Sequence, residues 1–292
     1  MERVIDTVPT RVTLAMNDKL NAPYTQREVK IALFQMYPMK APGPDGYPAH
    51  FFQHHWDLCG DDVTKAVLRI VEGTESAESI NDTVLVLIPK VTSPTVLSQY
   101  RPISLCNVIY KIISKCLVNR PRPLLDGMIS PTQSAFIPGR LISDNALIAF
   151  ECIHSLSKLK DRRGDYCAYK LDLAKAYDRV DWHFLKSMLG ALGFATGWIN
   201  CIMACVTSVK FSMCFNGQLL ESFTPSCGIG QGDPLSPYLF LFVAEALSLL
   251  SQDVCAKGTL QDFKVNRHAP GISHLLFADD FLMFSRGPLI RR

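Results

Sequence analysis

The sequence contains no Cys-x-x-Cys pair, no uninterrupted apolar run long enough to cross a bilayer, no internal repeat and no low-complexity tract. Each absence removes a class of protein. Ten cysteines without a paired spacing do not make a zinc finger or ribbon. Cys201 and Cys205 come nearest, but no histidine lies beside them in sequence, and they read as small core residues on one helix face. The longest apolar stretch, Tyr238 to Leu250, is interrupted by Glu245 and reads as a buried helix. Met1 to Asn21 mixes charges throughout, unlike a secretory signal, so a reduced, intracellular protein is expected. Strong charge is missing too. A net charge of +3 permits contact with nucleic acid without arguing for it.

What is present is a globular composition, 48% hydrophobic and 20% charged over 292 residues, enough for a substantial core. Residues 1–24 show no clear period and read as a linker or remnant. Thr25 and Glu28 form a capping box ahead of the apolar stripe Val29, Ala32, Leu33 and Met36. A Pro/Gly-rich loop, Lys40 to Gly46, precedes a helix through Phe52 and Trp56. His50 and His54 stand there at metal-compatible spacing, but no third ligand is evident, and they read as surface or core-edge histidines. Thr83 to Ile88 reads as a buried strand, Leu105 to Leu117 and Asn145 to Leu159 as helices, and a further helix starts near Asp181. The prolines in Asn119 to Pro123 stop any helix that reaches them. Asn216-Gly217 signals a type I′ hairpin turn. Ser236 followed by Pro237 reads as a helix cap with proline at the first helical position. The mixed order of elements predicts an α+β fold with an antiparallel sheet.

Three aspartates carry the chemistry. Tyr166 to Leu173 alternates, with Cys167, Tyr169, Leu171 and Leu173 on one face and Ala168, Lys170 and Asp172 on the other. Asp279 and Asp280 sit in a hairpin flanked by Leu-Leu-Phe and Phe-Leu-Met-Phe. Singly, an aspartate at a strand end also caps helices, and Asp-Asp is ordinary turn chemistry. Brought side by side in one sheet, the acids form a cluster that is costly unless cations neutralise it. Two Mg²⁺ ions held about 4 Å apart by shared carboxylates answer that need in phosphoryl transfer.

Six segments occur in order: Lys40-Ala-Pro-Gly-Pro-Asp-Gly46, Tyr100-Arg-Pro-Ile-Ser-Leu105, Gln133-Ser-Ala-Phe-Ile-Pro-Gly-Arg140, Asp172-Leu-Ala-Lys-Ala-Tyr-Asp178, Gln231-Gly-Asp-Pro-Leu-Ser-Pro237 and Phe277-Ala-Asp-Asp280. Together they make the chain similar to the reverse transcriptase of non-LTR (LINE-type) retrotransposons, particularly those abundant in plant genomes. The resemblance runs from about residue 25 to 285. It implies a right-hand polymerase: fingers and the start of the palm over residues 25–165, and an incomplete palm over 166–292, its antiparallel sheet backed by helices. It also implies an RNA-directed DNA polymerase that takes RNA template, DNA primer and dNTPs, uses two Mg²⁺ ions (or Mn²⁺), needs no membrane and works in the nucleus. Asp172, Asp279 and Asp280 match the catalytic, metal-holding acids, Asp280 being the less direct ligand. Tyr177 matches the aromatic gate under the nucleotide sugar and is expected beneath the acids, outside the apolar core. Gln231 and Gly232 match the loop at the nucleotide and template. Lys90 and Arg101 match fingers residues that meet the triphosphate.

Two departures stand out. The family usually carries arginines where this sequence has Cys227 and Gly230. The sequence also stops twelve residues after Asp280, so a missing thumb and weak processivity are expected. A catalytically inactive, nucleic-acid-binding remnant of such an element is the second reading. A group II intron maturase-like protein shares the acids but needs a downstream splicing domain. An unrelated α+β domain is the last alternative.

Overall fold

A computed structural model of the chain describes residues 2–158 and 166–286. Two sheets and a set of helices make an α+β fold. Strands β1 (Asp82–Pro89), β2 (Tyr100–Cys106), β4 (Lys210–Phe215) and β5 (Gln218–Leu219) form one sheet in the order β2-β1-β4-β5. Strands β3 (Tyr166–Asp172), β6 (His274–Phe277) and β7 (Asp280–Arg286) form the other, in the order β3-β7-β6. The three-stranded sheet is antiparallel throughout, as expected. The four-stranded sheet is mixed, because β1 pairs parallel with β4 while its other pairings are antiparallel. A parallel pair needs a long crossover, and here it includes β3 and helix Ile142–Lys158, which packs on the three-stranded sheet.

Local signals shape the helices. Helix Gln26–Phe34 starts at the Thr25–Glu28 capping box and buries Val29, Ala32 and Leu33. With Trp56–Val71 it packs on Val108–Asn119. The Asp181 carboxylate accepts from the Phe184 N–H at 2.7 Å and starts Trp182–Leu192. Gly193, at φ 95°, ends that helix in the left-handed region. Asn216 (φ 49°) and Gly217 (φ 79°) give the β4–β5 turn both positive φ values that a type I′ turn requires.

Helix Ser236–Ala256 is the centre of the main core, with Leu239, Leu241 and Phe242 almost wholly enclosed. It is long and apolar enough to cross a membrane by those measures alone. Its one acid on the buried side, Glu245, is instead fully paired. It receives Arg11 Nη1 at 2.8 Å, the Ser130 N–H at 2.9 Å and the Ser130 hydroxyl at 2.5 Å. A smaller core of Cys152, Phe263, Leu275 and Phe284 lies between the three-stranded sheet and helix Ile142–Lys158.

Several expectations need correction. Residues 2–24 are not a linker. They form helices Glu2–Ile5 and Leu14–Asn21 and bury Val12 and Leu20. Backbone N–H groups of Arg11 and Val12 both donate to Leu192 O, beside Gly193, where any Cβ would collide with Thr10. Arg120 grips the same segment from the other side. Its guanidinium donates to the Leu20, Ala22 and Pro23 carbonyls and to Glu28, and lies 3.4 Å over the Tyr24 ring. The helix expected from Leu105 begins at Val108, because β2 keeps Leu105 and Cys106 in its pairing with β1. The helix at Ser236 starts with Ser236 itself inside, Leu235 at the cap and Pro237 one position later than expected. The apolar face of β3 is not covered at its end, since Leu171 is 46% exposed.

Candidate active site

The β3/β7 register sets the site. Asp172 closes β3, Asp280 opens β7, and the two stand directly opposite one another. Residues so placed leave an antiparallel pair on the same face with Cβ atoms about 4.5–5.5 Å apart. Lys170, two residues back along β3, shares that face and puts Nζ 3.1 Å from Asp280 Oδ1. The hydrogen bond and charge of Asp280, reinforced by Asp172, raise the Lys170 pKa. Asp280 therefore has a resident cation, while Asp172 is exposed at the strand end.

Asp279 lies in the two-residue turn between β6 and β7, which the Phe277–Asp280 pair closes. Ala278, first in the turn, has φ 53°, a value usually left to glycine. A buried side chain holds it there. Gln133 Oε1 accepts from the Ala278 N–H at 2.9 Å and from the Ala135 N–H at 3.0 Å, and Gln133 Nε2 donates to Ala278 O at 3.4 Å. The backbone around Gln133 also runs alongside β6: Leu276 N–H donates to Thr132 O at 2.8 Å, and Ser134 N–H to Leu276 O at 3.1 Å. Asn145 Nδ2 ties both carbonyls together, at 3.1 and 2.7 Å.

Tyr177 opens a single helical turn just after β3. Its ring stacks on Phe240 of the core helix, with centroids 5.0 Å apart and planes 13° from parallel. Burial, then the nearby charge of Asp279, push its hydroxyl up to about 12. The ring thus joins the apolar core at one end and reaches the acid turn at the other. The expectation that it lies outside the core is corrected by the Phe240 stack.

Gln231 and Gly232 bind the chain itself. Gln231 O accepts from the Ser104 N–H at 2.7 Å, which fastens the loop to β2. Gly232 has φ 116°, and a Cβ there would come within 2.8 Å of Ser104 O. The glycine is required by this contact between protein segments, whereas the sequence suggested close approach to a ligand. Ile229 N–H donates to Tyr177 O at 2.9 Å, so the same loop is also fastened to the backbone of Tyr177. Behind it, a cavity of about 250 Å³ is lined by Asn81, Ser104, Asp178, Gly230 and Asp233. Burial raises the Asp233 carboxyl to about 6. Lys90 and Arg101 stand exposed at the far end of the β1–β2 hairpin, on a different sheet from the acids. Lys90 Nζ donates to Ser98 O at 3.2 Å.

Among the described residues, no three His, Cys, Asp or Glu side chains gather closely enough to hold a metal by themselves. His50 and His54 lie 5.8 Å apart between ring centroids, their planes tilted by 32°, and gain no third partner of that kind among the described residues. The acids suit Mg²⁺ in another way. That ion takes hard oxygen donors and is commonly held by one or two carboxylates together with substrate phosphates and water. Sequence reasoning missed Lys170 and Gln133. Strand alternation had already put Lys170 on the Asp172 face, and Gln133 lay within a quoted motif without a role.

Comparison with known proteins follows the same lines. Residues 88–289 match the reverse transcriptase (RNA-dependent DNA polymerase) family. The chain is 31% identical over 245 residues to the uncharacterized 149 kDa protein of transposon TX1 from Xenopus laevis, covering 84% of this chain and 18% of that protein. It is 29% identical over 201 residues to a retrovirus-related Pol polyprotein from a type-2 retrotransposable element of Drosophila melanogaster, covering 68% and 18% respectively. An uncharacterized mitochondrial protein of Arabidopsis thaliana is 49% identical over 65 residues, which is 22% of this chain and 53% of that one. The chain thus spans less than a fifth of the first two relatives. With the family match extending over both sheets, the chain belongs to the reverse transcriptase family and carries a reverse transcriptase domain of the non-LTR, LINE-type retrotransposons.

Proposed function

We propose that this domain extends a DNA primer along an RNA template by nucleotidyl transfer from dNTPs, with Asp172 and Asp279 as holders of two Mg²⁺ ions, Mn²⁺ being an alternative. The observation that carries this reading is the register that sets the end of β3 against the start of β7. It sets Asp172 opposite Asp280 at one end of the sheet, beside the turn that carries Asp279, with Lys170 paired to Asp280. Such a concentration of like charge favours the binding of cations. When bound, the metal pair supplies activation of the primer 3′-hydroxyl and neutralises charge on the leaving pyrophosphate. Asp280, engaged by Lys170, tunes the field at the edge and holds the metals less directly. The Tyr177 ring, fixed on Phe240, is a rigid floor against which a 2′-hydroxyl would clash. Gln231 and Gly232 shape the adjoining wall. Lys90 and Arg101, on the sheet we assign to the fingers, would meet the triphosphate, and the three-stranded sheet is the palm.

A specific observation favours the inactive, nucleic-acid-binding alternative as the second reading. Gly230 and Cys227 put no cation where the family usually carries arginines, and a Cβ at Gly230 would come 3.1 Å from Ser104 Oγ. Cys227 Sγ turns to Asp178 O at 3.6 Å.

Single-nucleotide addition to a DNA primer on an RNA template, with Mg²⁺ and dNTPs, separates the two readings. Asp172→Asn and Asp279→Asn should each lower the rate by roughly a thousandfold, the several kcal/mol that metal charge contributes to such a transition state. Lys90→Ala should lower it far less. Extension by either acid variant at the unsubstituted rate would overturn the assignment. Duplex binding without extension by any form would favour the remnant.

A further inference from the structure

The turn that presents Asp279 does not hold its own shape. Ala278 occupies the left-handed region at φ 53°, where an L-residue is uncommon and strained. Turns with a positive φ at the first central position normally place glycine there. Something outside the hairpin must fix the backbone, and the contacts identify it. Gln133 is 1% exposed and meets both polar groups of Ala278: its carbonyl takes the N–H at 2.9 Å, and its amide nitrogen reaches the C=O at 3.4 Å. The same carbonyl takes the Ala135 N–H at 3.0 Å, which locks the Gln133 side chain to its own loop. The loop is in turn hydrogen-bonded to Leu276 in β6 and secured by Asn145. A rigid chain of bonds therefore runs from helix Ile142–Lys158 through the loop to the peptide unit just before Asp279.

We infer that Gln133 is a positioning residue: its carboxamide clamps the Ala278 peptide and thereby fixes the direction in which Asp279 presents its carboxylate to metal. The inference rests on the proposed role of Asp279 as a metal holder. Gln133 itself touches neither substrate nor metal. Glutamine is suited to the task because it offers an acceptor and a donor on one planar group, matching the N–H and C=O of one residue. An apolar residue of similar length would leave the Ala278 and Ala135 N–H groups buried without partners, which destabilises the turn locally.

The test uses the 292-residue chain, with two readouts on Gln133→Leu and Gln133→Glu. Hydrogen exchange reports the clamp. Gln133→Leu should speed exchange of the Ala278 amide by about tenfold or more, with β1 amides unchanged. Gln133→Glu keeps the acceptor for both N–H groups and should retain most of the protection; it also serves if the leucine variant fails to fold. Mn²⁺ binding, followed by electron paramagnetic resonance, reports the consequence. Gln133→Leu should weaken by about tenfold the binding that Asp279→Asn abolishes. Unchanged Ala278 exchange in Gln133→Leu would overturn the clamp. Faster exchange with unaltered Mn²⁺ affinity would overturn its link to Asp279. If the unsubstituted chain shows no Asp279-dependent Mn²⁺ binding, the metal reading fails, and exchange still decides whether Gln133 holds the turn.

Discussion

The buried acid Glu245 and the aspartates at the end of the three-stranded sheet follow opposite rules. Glu245 lies inside, with a side chain wholly excluded from solvent, and every hydrogen-bonding need is met by Arg11 and Ser130. Asp172 and Asp280 face one another at one end of the three-stranded sheet, with Lys170 as the near cation and Asp279 in the adjoining turn. Burial raises the Glu245 pKa, and its hydrogen bonds to Ser130 and Arg11, with the Arg11 charge, oppose that rise. The interior acid is balanced from within and serves the fold, since it ties the N-terminal segment to the central helix. At the end of the sheet Asp280 is paired with Lys170 and Asp172 is exposed, an arrangement open to the cations proposed above. Location and satisfaction, more than residue type, separate structural carboxylates from chemical ones.

Substitutions can break or sharpen this contrast. The largest effect should come from the core on which the interior grouping stands. Phe242→Ala should lower unfolding free energy by roughly 4 kcal/mol in chemical denaturation, because Phe242 is 1% exposed and its loss leaves a cavity. Next comes Arg11→Met, which keeps the side-chain bulk but strands Glu245, at roughly 3 kcal/mol near neutral pH. That loss should shrink as pH falls and Glu245 takes up a proton, which urea melts at two pH values would show. Equal losses at both would mean the pair is not what holds Glu245.

His274 gives a third, smaller effect. It is buried beside Ser248 and Ser273 and stacks on Phe281, and burial lowers its pKa from an ordinary 6.5 to about 4. A depressed folded-state pKa means its contribution is present above the unfolded value and is lost as pH falls. Stability should therefore decline between about pH 6.5 and 4, by roughly 2 to 3 kcal/mol from this group. His274→Gln should flatten that part of the pH profile. The smallest effect belongs to the edge. Asp172→Asn should change stability by less than about 0.5 kcal/mol, with a slight gain from relieved repulsion, while removing the proposed activity. A loss above about 1 kcal/mol would show that the edge acid also holds the fold, and the contrast would fail.

What the sequence revealed follows from how far each signal reaches. The Thr25–Glu28 box, the Asp181 cap and the Asn216-Gly217 turn depend on neighbours within a few residues, and all three were readable. The docking of residues 2–24 was not, because Arg11 finds its partner 234 residues away, in Glu245. Nor was the parallel pairing of β1 with β4, for which alternation gives no sign of direction. The Leu105–Cys106 boundary failed because a short apolar run suits strand and helix equally. At the site, the acids stood out in ordered motifs, and the register brings Asp172 and Asp280 together. Lys170 and Gln133 gain their roles only through pairing across the sheet and across the loop. Gly232 carried a correct signal of close approach, but the body approached is β2.

The parallel pairing of β1 with β4 has a consequence in time. Residues 82–85 must wait for residues 210–213, about 130 positions later in the chain, before their sheet is complete. Until then the β1–β2 hairpin offers an open edge, with Val84, Val86 and Ile88 along it, to any strand that passes. The elements made in the interval include β3, which carries Asp172, and helices Trp182–Leu192 and Thr196–Thr207. The other two strands of the three-stranded sheet, β6 and β7, emerge later still. During synthesis from the N-terminus, Asp172 and Asp280 therefore meet only after the four-stranded sheet has had its chance to close.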